Sequence, residues 1–505
     1  MNSKWMKGTM ILTITAFLTK LLSMVYKIPY QNIVGDEGLY VFQQVYPLIG
    51  IYTVLNGLVF PTIVSELLLK HQYSEDIKQY IKRSLWIFGV VSFGLLFLGS
   101  ERLALLMGDI QLSMSIRIIG VAFLLIPTLS YLRGVAQTRE STIHRVGYST
   151  TIEQFVRVFM IIMVLFLFSQ RNIYQISYLS FLLGLMGPIL ALVYLTLFKI
   201  DDSPKSFLKL QTKPKLLKNG FFLFLSAGIL IVFQLIDSFF VFNSLISGGL
   251  DALEAMQQKG IYDRGLPIIQ AATFFIGAVV TSTIPQMSKL KEEKQRKNMF
   301  NSALFFVIAF SIPACVGLFL VIEDLNTALF MDNSGTRALQ IMTFQVLLYP
   351  FVFLTTAVLQ QEGKESQLLV SILLGIFVKL MSTAPLTNLF GIEGAAISSV
   401  LSLGAMYLVN LYQFRKMIYK QSFLNILKVS ISTIGMWLAI DYLGPIILNH
   451  LAIEGERLLS ITSLVVQVGI GVLVYGIFII LFILTSKSPT VSTKQKKRKS
   501  RRQKI

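Results

Sequence analysis

Charge is scarce in this chain of 505 residues: only 14% are Asp, Glu, Lys or Arg, against 54% hydrophobic. Soluble domains carry about 25% charged residues, so the composition is that of a polytopic membrane protein. Cysteine is nearly absent. The single Cys315 excludes an internal disulfide and falls in an apolar run, where it reads as a small buried hydrophobe. The three histidines, His71, His144 and His450, show no metal-ligand spacing. No Walker phosphate loop and no G-x-G-x-x-G occurs, so the chain shows no nucleotide site of its own.

Long apolar runs are present instead. Stretches able to cross about 30 Å of hydrocarbon fall near 9–26, 41–64, 84–99, 114–132, 151–169, 174–198, 220–245, 266–285, 299–321, 338–359, 367–387, 391–412, 425–446 and 460–484. These are fourteen expected spans. The first reads as an uncleaved span, because no small-residue cleavage site follows it and Lys20 interrupts it.

The basic residues give an orientation. With the N-terminus cytoplasmic, inside segments hold 33 of the 45 Lys and Arg and outside segments hold 7; Lys20, Arg117, Arg157, Lys379 and Lys428 lie in the spans. That asymmetry predicts both termini in the cytoplasm. It also accounts for the +19 net charge without nucleic acid, and KQKKRKSRRQKI at the end reads as a topology and anionic-lipid contact.

A weak internal repeat appears. Pro47, Pro61 and Pro127 recur as Pro267, Pro285 and Pro350 at offsets of 220, 224 and 223, and the Gln137–Ser141 stretch is echoed by Gln361–Ser366. Six spans separate the copies, which predicts two parallel six-helix lobes with a substrate site between them. The expected units are an N-lobe over 1–198, a basic cytoplasmic linker over 199–219, a C-lobe over 220–412, two extra helices over 413–484 and a basic tail over 485–505.

Charges inside spans are costly and mark function by default. Lys20 and Lys27 share one helix face, about 10 Å apart along the axis, and are expected to line a hydrated anion-binding cavity. The repeat offset carries Lys20 to the neighbourhood of Asp237, an acid where the first lobe has a cation; pairing with Lys20, a coupling Na+ or a titrating proton are all open for it. Glu153 and Arg157 stand at i, i+4 in the favoured order for an ion pair and are expected to be architectural or gating. Lys379 is a mid-span candidate for the cavity lining, whereas Arg117 and Lys428 lie near span ends.

Four stretches carry a family resemblance. TKLLSMVYKIPYQNIVG, LRGVAQTRESTIHRVGYSTTIEQFVRV, VLQQEGKES and FVKLMSTAPLTNLFGIEGAAISSVLS together run from residue 19 to about 402. In order and spacing they resemble the multidrug/oligosaccharidyl-lipid/polysaccharide exporter superfamily, in particular the polysaccharide-transport branch that includes stage V sporulation protein B and MurJ-type lipid II flippases. Thr138 and Gln361 stand where that branch usually has glycine, a departure that fits a paralogue for another glycan. The resemblance implies two six-helix lobes around a cationic cavity, an undecaprenyl-pyrophosphate-linked sugar as cargo and alternating access without ATP. It also carries the headgroup-binding role onto Lys20. No cofactor is expected beyond a possible coupling ion. The expected partners are the lipid-linked glycan, membrane lipids and cell-envelope synthesis enzymes. A cation-coupled multidrug exporter of the same fold is the rival reading; span 1 offers a cation and no acid, which favours an anionic cargo. No outside loop holds an acid/base site of the kind an enzyme needs.

Overall fold

The computed structural model describes residues 22, 26–197, 216–288, 290, 292–450 and 455–485. These residues are almost wholly helical, with no β-strand among them. The helices are α1 (Lys27–Val54), α2 (Phe60–Lys70), α3 (Glu75–Leu98), α4 (Ser100–Leu106), α5 (Ser113–Phe123), α6 (Ile126–Gln137), α7 (Ile143–Phe168), α8 (Ile173–Gly184) and α9 (Met186–Leu197) in the first half. In the second half come α10 (Leu216–Ser247), α11 (Ala252–Ser288), α12 (Glu293–Phe330), α13 (Thr336–Gln361) and α14 (Glu365–Phe414), then α15 (Lys420–Asn449) and α16 (Glu456–Thr485). Among the described residues, ten helices are long and apolar enough to cross a membrane, or eleven if the 41° bend between α5 and α6 lies within one span. Backbone groups in hydrocarbon must be satisfied within the segment, which is why so apolar a chain is nearly all helix.

Two of these helices are folded back on themselves at a glycine. Gly35 in α1 has φ 77° and Gly391 in α14 has φ 59°, a left-handed backbone that glycine adopts without a Cβ penalty. Contacts on either side of each glycine prove the reversal. Tyr26 meets Phe42 edge to face, with Lys27 over Tyr46; Thr383 and Lys379 meet Ser398 and Ser399. The two hairpins fall where the apolar runs end, near 35 and near 390.

Between α1 and α2 the chain makes a π-helical turn, Leu55–Val59. Such turns loosen the i→i−4 ladder and release a carbonyl for another partner. The Asn56 carbonyl finds one in the Arg133 guanidinium, 3.4 Å away.

The two halves are pressed together along α1. Near Gly35, the Gln257 amide donates to Glu37 at 2.8 Å; midway, the Gln44 amide donates to the Ser238 carbonyl at 2.7 Å. Farther along, Phe60 and Ile63 pack against the Gly220 backbone. One apolar core runs continuously from Tyr26 to Ala396 across this junction, and a second sits within α10–α14. The outer surface is apolar. Leu98 is 85% exposed, and α16 presents Val465, Val472 and Leu473 outward, as a hydrocarbon-facing surface does. α15 and α16 pack on α12, where Ser463 and Gln467 both hydrogen-bond Asp324.

Candidate functional site

Three buried charge clusters lie inside this bundle. The first belongs to the N-terminal half, beside the π turn. Glu153 Oε1 accepts from Arg157 Nη2 at 2.6 Å and its Oε2 from Arg133 Nη2 at 2.7 Å. The pair expected from the i, i+4 spacing therefore forms, but it is not self-contained. Arg133 also donates to Ser149 from two nitrogens, and Asn56 Nδ2 reaches Glu153 Oε2 at 3.4 Å. All three charged side chains are buried. Two guanidiniums on one carboxylate leave the cluster with one net positive charge. Arg157 also lines a small space walled by Tyr26, Phe42, Tyr46 and Tyr52.

The second cluster belongs to the C-terminal half. Asp237 on α10 is ion-paired with Lys379 at 2.5 Å, and Lys379 Nζ donates to Ser399 Oγ at 2.7 Å. The Tyr262 hydroxyl on α11 donates to the other Asp237 oxygen at 2.9 Å. Lys379 is fully buried on α14, so the cation expected to line the cavity and the acid expected to face Lys20 are held by each other.

The third cluster joins the halves. Arg264 on α11, with no exposed side-chain surface, reaches the Asp36 carboxylate just past Gly35 through Nε at 2.8 Å and through Nη2. It reaches Asp332 between α12 and α13 through Nη1 and Nη2, each at 2.8 Å. Planar guanidinium geometry suits such paired carboxylate contacts. Partial burial works to raise the Asp332 carboxyl, but the hydrogen bonds from Arg264 hold it below the usual carboxylate range. One turn before Arg264, the bare face of Gly260 lies on the Asp36 carbonyl, so close that an added Cβ would sit 2.1 Å from that oxygen. Gly260→Ala should therefore prop this end apart. We expect faster maleimide labelling of a cysteine placed at Glu37 than in the parent, and an unchanged rate would contradict the close packing.

On the same helix Lys259 and Asp263 form a buried i, i+4 pair at 2.5 Å. Asp263 is fully buried, and its partner is Lys259 one turn earlier. Lys27 is itself buried, its ammonium 4.2 Å from the Tyr46 ring centroid in a cation–π contact. Lys20 lies outside the described residues.

Sequence reasoning had placed Lys259, Asp263 and Arg264 in an outside connection, because the apolar run begins only at residue 266. In the structure α11 starts at Ala252, and all three are buried within it. The Lys259–Asp263 spacing was the available signal for a helix. Arg133 stood within a quoted motif without a role; it is the second guanidinium on Glu153.

The family described as "Polysaccharide biosynthesis protein" matches residues 5–291. Among curated proteins the chain is similar to "Uncharacterized membrane protein YabM" of Bacillus subtilis (strain 168), 33% identical over 429 residues, covering 81% of this chain and 80% of that one. It is also similar to "Lipid II flippase MurJ" of the same organism, 24% identical over 461 residues, covering 82% and 83%. Among solved structures it shares its fold with "Lipid II flippase MurJ, inward closed conformation" at a TM-score of 0.70 and 16% identity, covering 94% of this chain and 98% of that chain. With the family match extending over more than half of its residues, the chain belongs to the polysaccharide biosynthesis protein family, in the polysaccharide-transport branch of the multidrug/oligosaccharidyl-lipid/polysaccharide exporters, and is a multi-pass membrane transporter.

Proposed function

We propose that this transporter moves undecaprenyl-pyrophosphate-linked sugar units across the bacterial cytoplasmic membrane by alternating access, with both termini in the cytoplasm. One observation carries the reading. Lys27 and Lys259, one from each half, are both buried, Lys259 paired with Asp263 and Lys27 over the Tyr46 ring. Separation of the halves along α1 would open both ammoniums to a diphosphate, which offers more negative charge than Asp263 does. A buried cation keeps its charge only where an anion is supplied, so the exchange gives the headgroup a place that a cationic drug would not find. The seven-residue spacing between Lys20 and Lys27 leads us to expect Lys20 as a third cation on the same wall. The polyprenyl tail stays in the bilayer, so only the polar head needs the groove.

The Arg264 cluster and Gly260 form the gate at the Gly35 end, and the Glu153 cluster braces α1 at its π turn. Asp36, Gln257 and Asp332 follow the first, seventh and ninth expected spans, which puts this gate on the outer face.

The reading is tested on Lys20. In a strain dependent on this chain, Lys20→Ala and Lys20→Glu are expected to abolish complementation, while Lys20→Arg retains much of it. Full activity of Lys20→Ala would remove the residue from the cargo site. Proteoliposomes give the direct readout: flipping of a fluorescent undecaprenyl-pyrophosphoryl sugar above the protein-free rate, with no ATP added, is the expected result.

A further inference from the structure

We propose that the Lys379 ammonium is a tethered cation occupying the Asp237 cradle, so that this site binds no sodium ion and the transport cycle proposed above runs without one. The carboxylate and the Ser399 hydroxyl that an alkali cation would use there are engaged by protein groups. Asp237, 3% exposed, gives Oδ1 to Lys379 Nζ at 2.5 Å and Oδ2 to the Tyr262 hydroxyl at 2.9 Å. Ser399 Oγ takes the ammonium at 2.7 Å and lies 3.3 Å from the Tyr262 oxygen. A buried carboxylate, a hydroxyl and a phenol gathered around one positive centre are what a bound cation requires. Here the centre belongs to the protein.

Geometry holds it in place. Lys379 and Ser399 sit on the two arms of the α14 hairpin, Asp237 on α10 and Tyr262 on α11. The ammonium thus ties both arms of α14 to α10, Tyr262 extends the tie to α11 through Asp237, and the tether keeps the local concentration of the ammonium far above that of a solution ion. The small adjoining space offers Gln234, Gln270 and Gln345 as further polar lining, and Asp237 is its one carboxylate. A sodium ion entering there would leave the site with an uncompensated positive charge, which a buried site strongly disfavours. The claim of a sodium-free cycle rests on the transport reading; the claim about the cradle does not.

The experiment is a thermal melt of the purified full-length chain in detergent, with no cargo present. Sodium chloride is compared with choline chloride at equal ionic strength, from about 1 to about 100 mM sodium. The wild type is expected to melt at the same temperature in both. Lys379→Ala empties the cradle and exposes the Asp237, Ser399 and Tyr262 oxygens, so it is expected to gain a sodium-specific rise of several degrees. If Lys379→Ala is not recovered folded, Lys379→Asn, which supplies an oxygen in place of the charge, carries the same comparison. A sodium-specific rise in the wild type would overturn the proposal. So would a folded variant that melts identically in the two salts. Neither outcome depends on which glycan, if any, the chain moves.

Discussion

Glu153→Ala should be the most destabilising single change in the N-terminal half, costing about 3–5 kcal/mol, as breaking a buried ion pair from one side does. The carboxylate alone separates two buried guanidiniums, Arg133 and Arg157, and also receives Asn56 from the π turn. Without it the guanidiniums repel one another and the turn loses a support. Arg117→Ala is the control. Its pair with Glu101 has side chains 37% and 63% exposed, so water and salt screen it and its loss should cost less than about 1 kcal/mol. Melting curves of the two variants in one detergent check the difference; equal curves would show that the Glu153 cluster does not brace the fold.

Arg264→Ala should unlatch the halves at the Gly35 end. Truncating one partner of a buried, hydrogen-bonded charge pair costs about 2–5 kcal/mol, a factor of roughly 30 or more in the balance between closed and open forms. Here one side chain holds two carboxylates, Asp36 from α1 and Asp332 beyond α12, so both lose their partner together. A cysteine introduced at Glu37 reports the change cleanly, since the native Cys315 is buried. We expect maleimide labelling of Glu37→Cys to quicken more than about tenfold in the Arg264→Ala background, with transport lost because the gate no longer closes. Arg264→Lys, able to place one ammonium between the carboxylates but without the fork, should fall between. Labelling that stays slow would mean that apolar packing alone holds this end shut.

Much of this architecture was legible in the sequence because the bilayer imposes it. A helix needs about 20 apolar residues to cross, so hydropathy alone marked the runs that became α3, α7, α10 and α13, and put joins near Gly35 and Gly391. Glu153 with Arg157 was legible for a local reason: i, i+4 spacing brings side chains together whatever surrounds the helix. The long-range partners were not. Asp237 and Lys379 were each recognised as costly charges inside the membrane, but their 142-residue separation carries no spacing rule, and the repeat offset pointed to Lys20 instead. Arg133 reaches Glu153 only because α6 packs beside α7, and the π turn that places Asn56 there has no sequence signature. Lys259, Asp263 and Arg264 escaped for the opposite reason. Their charges depressed the hydropathy of the first turns of α11, so a buried helix segment looked like a loop. Neutralised by one another and by Asp36 and Asp332, they no longer behave as the exposed charges that a hydropathy scale assumes.

These clusters divide the labour of a transporter. The Glu153 cluster stiffens one half, the Asp237–Lys379 pair ties the other, and Arg264 latches the two. Under the proposed function, the buried Lys27 and Lys259 at the junction would trade protein partners for a cargo anion. That trade is the centre of the account. Its most direct measurement is depletion of this protein in cells supplied with a radiolabelled sugar, followed by separate quantification of lipid-linked precursors in the inner and outer leaflets. The account predicts that one such precursor accumulates in the inner leaflet while its outer-leaflet pool falls. Unchanged outer-leaflet pools of every lipid-linked precursor would contradict it.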